Sequence, residues 1–308
     1  MYNPYFRGKQ YDLIALIEAV NSGFLSKDII PLIEPVRDNK YLRKVAECFI
    51  HHKHNLLMVV NPQVGRVREG QEKIHDIQDL FPSDYITPVF ILSEEFLENY
   101  QDRFSFFERP GSEEFVYLSY RYSRHLPKFL EQSSNPKFHI ISDSALLRKS
   151  VPQNRVLLTD PFNFLKHGED YLELEDEFYS DSDKFYLDEG YIGFSNFGID
   201  GASYFDKGYP SRTVVLHVLY IDRYRTVRIK HFASDTNETM ANPAGKFFEA
   251  LGKLTSWYRR YEDKLILTQG LAQLMEFEKE NKYPGAGVIK KLLVIHQLEL
   301  YSRLIQTD

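Results

Sequence analysis

The chain carries one cysteine, Cys48, which rules out an internal disulfide and a thiolate metal cluster. Cys48 sits at helical spacing in VAECFI, where a free thiol reads as a small buried hydrophobe. No apolar run reaches the roughly 18 residues a bilayer span needs. The opening MYNPYFRGKQ has no apolar signal core. Together these absences lead us to expect a cytoplasmic protein without a membrane partner.

Several chemistries also lack their signatures. There is no GxSxG for a nucleophile elbow, no GxxxxGK[ST] or GxGxxG to cradle phosphates, and no HEXXH for zinc. No lysine ends an apolar strand, which disfavours Schiff-base aldolase chemistry. An excess of basic residues is missing too. The net charge of −6 argues against a general nucleic-acid coat.

What the chain does have is hydrophobic material, 43% of its 308 residues, with 23 Phe and 21 Tyr. That is enough for a sizeable core. Apolar, β-rich runs recur at 29–36, 56–62, 86–92, 115–120, 137–142, 155–160, 191–196 and 213–221. Polar stretches of helical character separate most of them. Eight runs at the spacing of a βα unit predict an α/β fold, a (β/α)8 TIM-like barrel of parallel strands. QYDLIALIEAV (10–20) reads as an amphipathic helix capping the barrel bottom. TVVLHVLYI and TVRIKHFA flank IDRYR and read as an antiparallel hairpin, an irregularity late in the barrel.

The barrel with its N-terminal helix is expected over 1–264, with an acidic insertion at 166–190. A C-terminal helical extension is expected over 265–308. Between Glu169 and Glu189 ten acidic residues stand against Lys184 alone. Solvated helix and loop is the ordinary reading of that segment, and a lid or a surface for a basic partner is the sharper one. Asn242 and Pro243 read as the N-cap and first turn of a helix.

In such barrels chemistry belongs at the C-terminal strand ends. Those ends supply Glu34, Asp143 and Asp160 as candidate catalytic carboxylates. Arg37, Asn61, Arg121 and Ser195 are the candidate substrate- or phosphate-binding residues at those ends. A buried carboxylate needs a partner, and a ring of oxygens suits a hard cation such as Mg2+. Arginines suit phosphate. Asp143 in SDSALL also fits an ordinary helix N-cap. His217 lies inside the last of the eight runs. Arg223, Arg225, Arg228 and Trp257 form a basic-aromatic set that suits single-strand nucleic acid, the least favoured of the partners considered.

Longer patterns carry a resemblance. PYFRGKQYDLIAL followed by IIPLIEPV resembles the opening of the bacterial and phage "beta protein" family, at Pro4, Arg7, Lys9, Asp12, Ala15, Pro31 and Glu34. IGFSNFGIDG (192–201), TVVLHVLYI (213–221) and NPAGKFFEAL (242–251) extend the likeness over most of the chain. Where that family carries Glu in the first helix, this chain has Asp12. The resemblance implies cooperation of Arg7, Lys9 and Glu34, and it adds Arg7 and Lys9 to the candidate substrate- or phosphate-binding residues. It also implies a setting in phage–host conflict, with a protein partner such as a nuclease encoded nearby. It brings no reaction with it. Two functions are therefore expected: an accessory protein working through a partner, or a barrel hydrolase or phosphodiesterase using the strand-end carboxylates and arginines.

Overall fold

The computed structural model describes residues 1–70, 78–99, 114–206 and 212–306. Its strands are β1 (Tyr2–Phe6), β2 (Leu32–Ile33), β3 (Leu56–Val59), β4 (Ile86–Ile91), β5 (Val116–Ser119), β6 (Phe138–Ser142) and β7 (Arg155–Thr159). They continue with β8 (Asp176–Ser180), β9 (Gly193–Asn196), β10 (Val215–Ile221) and β11 (Val227–Ala233). Strands β1 to β7 and β9 form a closed barrel, parallel at every pairing, with β9 hydrogen-bonded back to β1. Every residue of β1 to β5 is buried. This explains why the strands read as continuous apolar runs rather than alternating ones.

The ring closes through a strand that the apolar runs did not reveal. YNPYF (2–6) is β1, and the 213–221 run lies outside the barrel. Helix Gln10–Asn21 therefore follows a barrel strand and connects β1 to β2, instead of preceding the barrel as a cap. The hairpin expected around IDRYR is present as β10 and β11. Asp222 closes its turn by accepting from the backbone N–H of Tyr224 and Thr226 at 2.8 and 2.9 Å. It belongs to a separate three-stranded sheet, β10-β11-β8.

That third strand lies in the acidic segment, where solvated helix and loop were expected. Asp176 accepts from Arg228 Nη2 at 2.6 Å and from the Tyr220 hydroxyl at 2.8 Å, so tertiary pairing overrides an acidic local sequence. Parts of the expected helices EGQEKIHDIQDLF and SEEFLENYQDRF, and of the Gly-rich turn at 198–210, fall outside the described residues. Cys48 is half-exposed, not buried.

The chain divides into two compact units. The first is Met1–Leu13, Lys27–Asp160 and Ser182–Phe197, and holds the barrel strands. The second is Ile14–Ser26, Pro161–Asp181 and Gly198–Asp308. This division does not run at 264/265, where composition drew a boundary. The second unit holds three long helices, Pro243–Arg260, Gln269–Lys279 and Ala286–Gln306. Asn242 caps the first by accepting from Gly245 N–H at 3.0 Å, as the sequence suggested. A Cβ on Gly270 would lie 2.2 Å from the Leu292 carbonyl oxygen, so the last two helices meet where only glycine fits. Among the described residues no helix is long and apolar enough to cross a membrane.

Candidate functional site

The C-terminal mouth of the barrel gathers Tyr5, Arg7, Glu34, Tyr120 and Phe197 around one carboxylate. Strand register explains the meeting. Tyr5 pairs with Leu32 and Phe6 with Ile33, so the next step sets Arg7 opposite Glu34. Tyr5 and Arg7 are two residues apart and point to one face. Gly8 then turns the chain at φ 58°, and a Cβ there would stand 2.9 Å from the Glu34 carbonyl oxygen. Only glycine accepts both conditions without strain.

Glu34 has no exposed surface. Its Oε2 takes an ion pair from Arg7 Nη1 and a hydrogen bond from the Tyr5 hydroxyl at 2.6 Å. Its Oε1 accepts from the Gln63 backbone N–H at 2.5 Å. The Tyr5 hydroxyl is in turn bonded to that of Tyr120. The Arg7 guanidinium lies over the rings of Tyr5 and Phe197, 5.1 Å from each centroid. Tyr5 and Phe197 stack at 4.6 Å. Burial, reinforced by Tyr120 and Glu34, holds the Tyr5 phenol well above its usual range, and Arg7 only partly offsets this. Burial alone would lower Arg7, yet Tyr5 and Glu34 outweigh it and raise the guanidinium. Tyr120 is raised too, chiefly by burial. At neutral pH the mouth thus holds two neutral phenols around an internal ion pair.

Asn61 serves the scaffold beside this network. Its amide donates to the Ile91 carbonyl and accepts from the Ile91 N–H, both at 2.8 Å, and so ties the ends of β3 and β4. The Gln63 side chain donates to the Asn61 carbonyl at 2.6 Å. A cavity of about 280 Å³ opens beside them, lined by Asn61, Gln63, Ser93, Arg68, Glu95 and Phe96. Arg68 and Glu95 pair across it at 2.6 Å.

The other candidates do not join Glu34. Asp143 is exposed at the end of β6 and pairs with Arg148, five residues on; the cap position of the helix that follows is Ser144, not Asp143 as expected. Asp160 is exposed at the end of β7. Among the described residues the acidic and imidazole groups that gather within 4.8 Å are Glu94, Glu98 and His125. They are an exposed surface set at 3.8 and 4.0 Å. The expected Mg2+ ring of Glu34, Asp143 and Asp160 is therefore not assembled.

Ser195 is fully buried inside β9, where its hydroxyl donates to the Asn3 carbonyl at 2.6 Å. It is a strand-to-strand tie, not a phosphate ligand. Arg121 is exposed and makes no ion pair among the described residues. Arg37 is half-buried after β2. Lys9 offers its backbone N–H to the Asp12 carboxylate at 3.2 Å. The shortened acid at position 12 thus caps the first turn of its helix.

Of the basic-aromatic set, Arg228 is held by Asp176, while Trp257 packs on Tyr220 and Phe232 at 5.3 and 5.4 Å. Neither is arranged for a base to stack upon.

Sequence reasoning missed Tyr5, Tyr120 and Phe197. One available signal was their place directly at or after barrel strand ends. The other was the two-residue spacing of Tyr5 from Arg7. No family model matches this chain, and no curated protein or solved structure matches it.

Proposed function

We propose that this chain is an accessory protein of a phage–host conflict system, of the anti-phage defence kind, which acts by holding a protein partner such as a nuclease. The observation that carries this reading is the occupation of Glu34. Both of its oxygens accept from donors of the same unit, and the side chain has no exposed surface through which a substrate could reach it. A general base or metal ligand needs a free lone pair aimed at its target. A carboxylate with no exposed surface, held by arginine, phenol and backbone N–H, instead fixes three chain segments to each other. The resemblance to the "beta protein" family supplies the biological setting.

A surface suited to a partner accompanies it. Phe185, Leu187 and Ile192 are 48%, 64% and 42% exposed within one short stretch of the first unit. Asp188 and Glu189 lie in the same stretch and make no ion pair among the described residues. Apolar side chains rimmed by unpaired acids fit a partner with an apolar patch and a basic border.

A barrel hydrolase or phosphodiesterase acting on a phosphorylated or nucleotide-like substrate is the second reading. The cavity between Asn61, Gln63, Ser93 and Arg68 favours it, because barrel enzymes hold substrates at such strand ends. One co-expression experiment separates the two. The chain is produced together with the products of the genes adjacent to its own and sized by light scattering, alone and as Phe185→Asp/Leu187→Asp. A stoichiometric complex lost in the folded double variant supports the partner reading. A free chain that cleaves bis(p-nitrophenyl) phosphate with Mg2+, and loses this activity in Arg68→Ala, overturns it.

A further inference from the structure

The three-stranded sheet of the second unit carries a polar chain that the barrel reading leaves unused. In the β10–β11 hairpin His217 stands directly opposite His231. On the other side of β11, Glu177 of β8 stands opposite Ile229, two residues from His231. Directly paired residues, and residues two apart, share a face. Glu177, His231 and His217 therefore line one face in that order. His231 Nε2 lies 3.2 Å from Glu177 Oε1, and His231 Nδ1 lies 2.7 Å from His217 Nδ1. Asn163 donates to the second Glu177 oxygen at 3.2 Å. Phe162 and Tyr171 hold the His217 ring edge-on, with centroids at 5.0 and 4.8 Å. The Tyr171 hydroxyl is itself fixed, donating to the Asn163 carbonyl at 2.8 Å and accepting from Leu165 N–H at 2.9 Å.

The proton positions follow from the partners. An ionised carboxylate only accepts, so His231 donates from Nε2. Burial lowers both imidazoles, His217 to about 3, which keeps them neutral near pH 7. A neutral His231 that donates from Nε2 has its lone pair on Nδ1. His217 must then donate from Nδ1, and its own lone pair sits on Nε2. No hydrogen-bond donor among the described residues meets that atom, and the His217 side chain is half-buried, not sealed. A nucleophile beside a base that a third group orients is the general signature of covalent catalysis.

We propose that Glu177, His231 and His217 form an acyl-transfer site in which His217 Nε2 attacks an activated ester. The Nε2–C bond forms as the ester C–O bond breaks, and the leaving oxygen departs with the electron pair as an alkoxide or phenolate. The Nδ1 proton passes to His231, whose imidazolium Glu177 stabilises. Water then attacks the acyl carbon. The N–C electron pair returns to His217, the carboxylate leaves, and both water protons go to solvent. His231 hands its proton back to His217 Nδ1. An uncharged acyl donor fits better than a phosphoryl donor, because the Glu177 carboxylate backs the histidine pair and would repel an anion.

Diethyl pyrocarbonate, a small acylating electrophile, tests this on the intact chain at pH 6.5, with mass spectrometry following all ten histidines. His217 is expected to acylate about tenfold faster than exposed His51, and Glu177→Gln to remove most of that advantage with unchanged circular dichroism. Labelling of His217 no faster than His51, or a rate indifferent to Glu177→Gln, overturns the proposal. Should that variant fail to fold, the imidazole 15N shifts of the unaltered chain decide. Nδ1–H on His217 with Nε2–H on His231 is required, and the opposite tautomers refute the site.

Discussion

The barrel mouth and the antiparallel sheet each link a chain of three polar side chains, Arg7–Glu34–Tyr5 in one and Glu177–His231–His217 in the other. Their electrostatic plans differ. At the mouth a full positive and a full negative charge face each other, and every oxygen of Glu34 has a donor. In the sheet a carboxylate backs two neutral rings in series, and the series ends on a lone pair with no donor among the described residues. A closed network rigidifies what it connects. A network that ends in an unfilled acceptor has something left to offer a ligand. A carboxylate at a barrel strand end looks like chemistry, yet here it is buried and accepts from three donors of its own unit.

The largest effect that tests this contrast lies at the mouth. Arg7→Ala leaves Glu34 as a buried, uncompensated charge, and breaking such a pair costs about 3–5 kcal/mol. Chemical denaturation followed by circular dichroism should show the unfolding free energy fall by that amount. Arg7→Lys should cost less, because charge survives while the planar contact with Tyr5 and Phe197 is lost. A loss below about 1 kcal/mol in Arg7→Ala would place the pair among exposed ones and remove the contrast.

Acid gives the next largest effect, and its sign is set by the histidines. His139 is pushed down to about 3 and His296 to about 4, each chiefly by burial, as His217 is. A histidine whose folded pKa lies below its unfolded value of about 6.5 stabilises the fold fully above that value. The contribution is lost as pH falls from 6.5 toward 3 or 4. At pH 5 each fully buried histidine should have lost about 2 kcal/mol relative to neutral pH. Melting temperature should therefore drop steadily between pH 6.5 and 4. His217→Gln/His231→Gln should soften that slope. An unchanged slope would mean that the sheet pair tolerates protonation and is not held neutral.

How far the sequence could reach is visible in the same two regions. Uninterrupted apolar runs are the signature of strands buried on both faces, so seven of the barrel strands were legible. Tyr2–Phe6 was not, because YNPYF interleaves Asn and Pro among aromatics and gives no apolar run. Asp176–Ser180 was hidden for a different reason. Its acidic residues suit a strand only once Arg228 and Tyr220 lie across from Asp176, a contact over 52 and 44 residues of chain. Glu34 was legible as a buried charge, and Arg7 as its companion through the shared pattern. The Glu177–His231–His217 chain was not, since it depends on hairpin register and on a strand no local signal announced.

The smallest expected effect concerns Asp143, which has the same chemistry as Glu34 and the same position at a barrel strand end. Its side chain is 64% exposed and that of Arg148 is 39% exposed. Water already solvates both charges, so the pair gains little from its Coulomb attraction and is screened by salt. Asp143→Asn should change stability by less than about 1 kcal/mol, and raising ionic strength should shrink even that difference. Equilibrium denaturation at low and high salt measures it. A loss as large as that of Arg7→Ala would mean that position on the barrel, not burial and saturation, decides what a strand-end carboxylate does. An effect near zero leaves burial as the variable that separates Glu34 from its look-alikes.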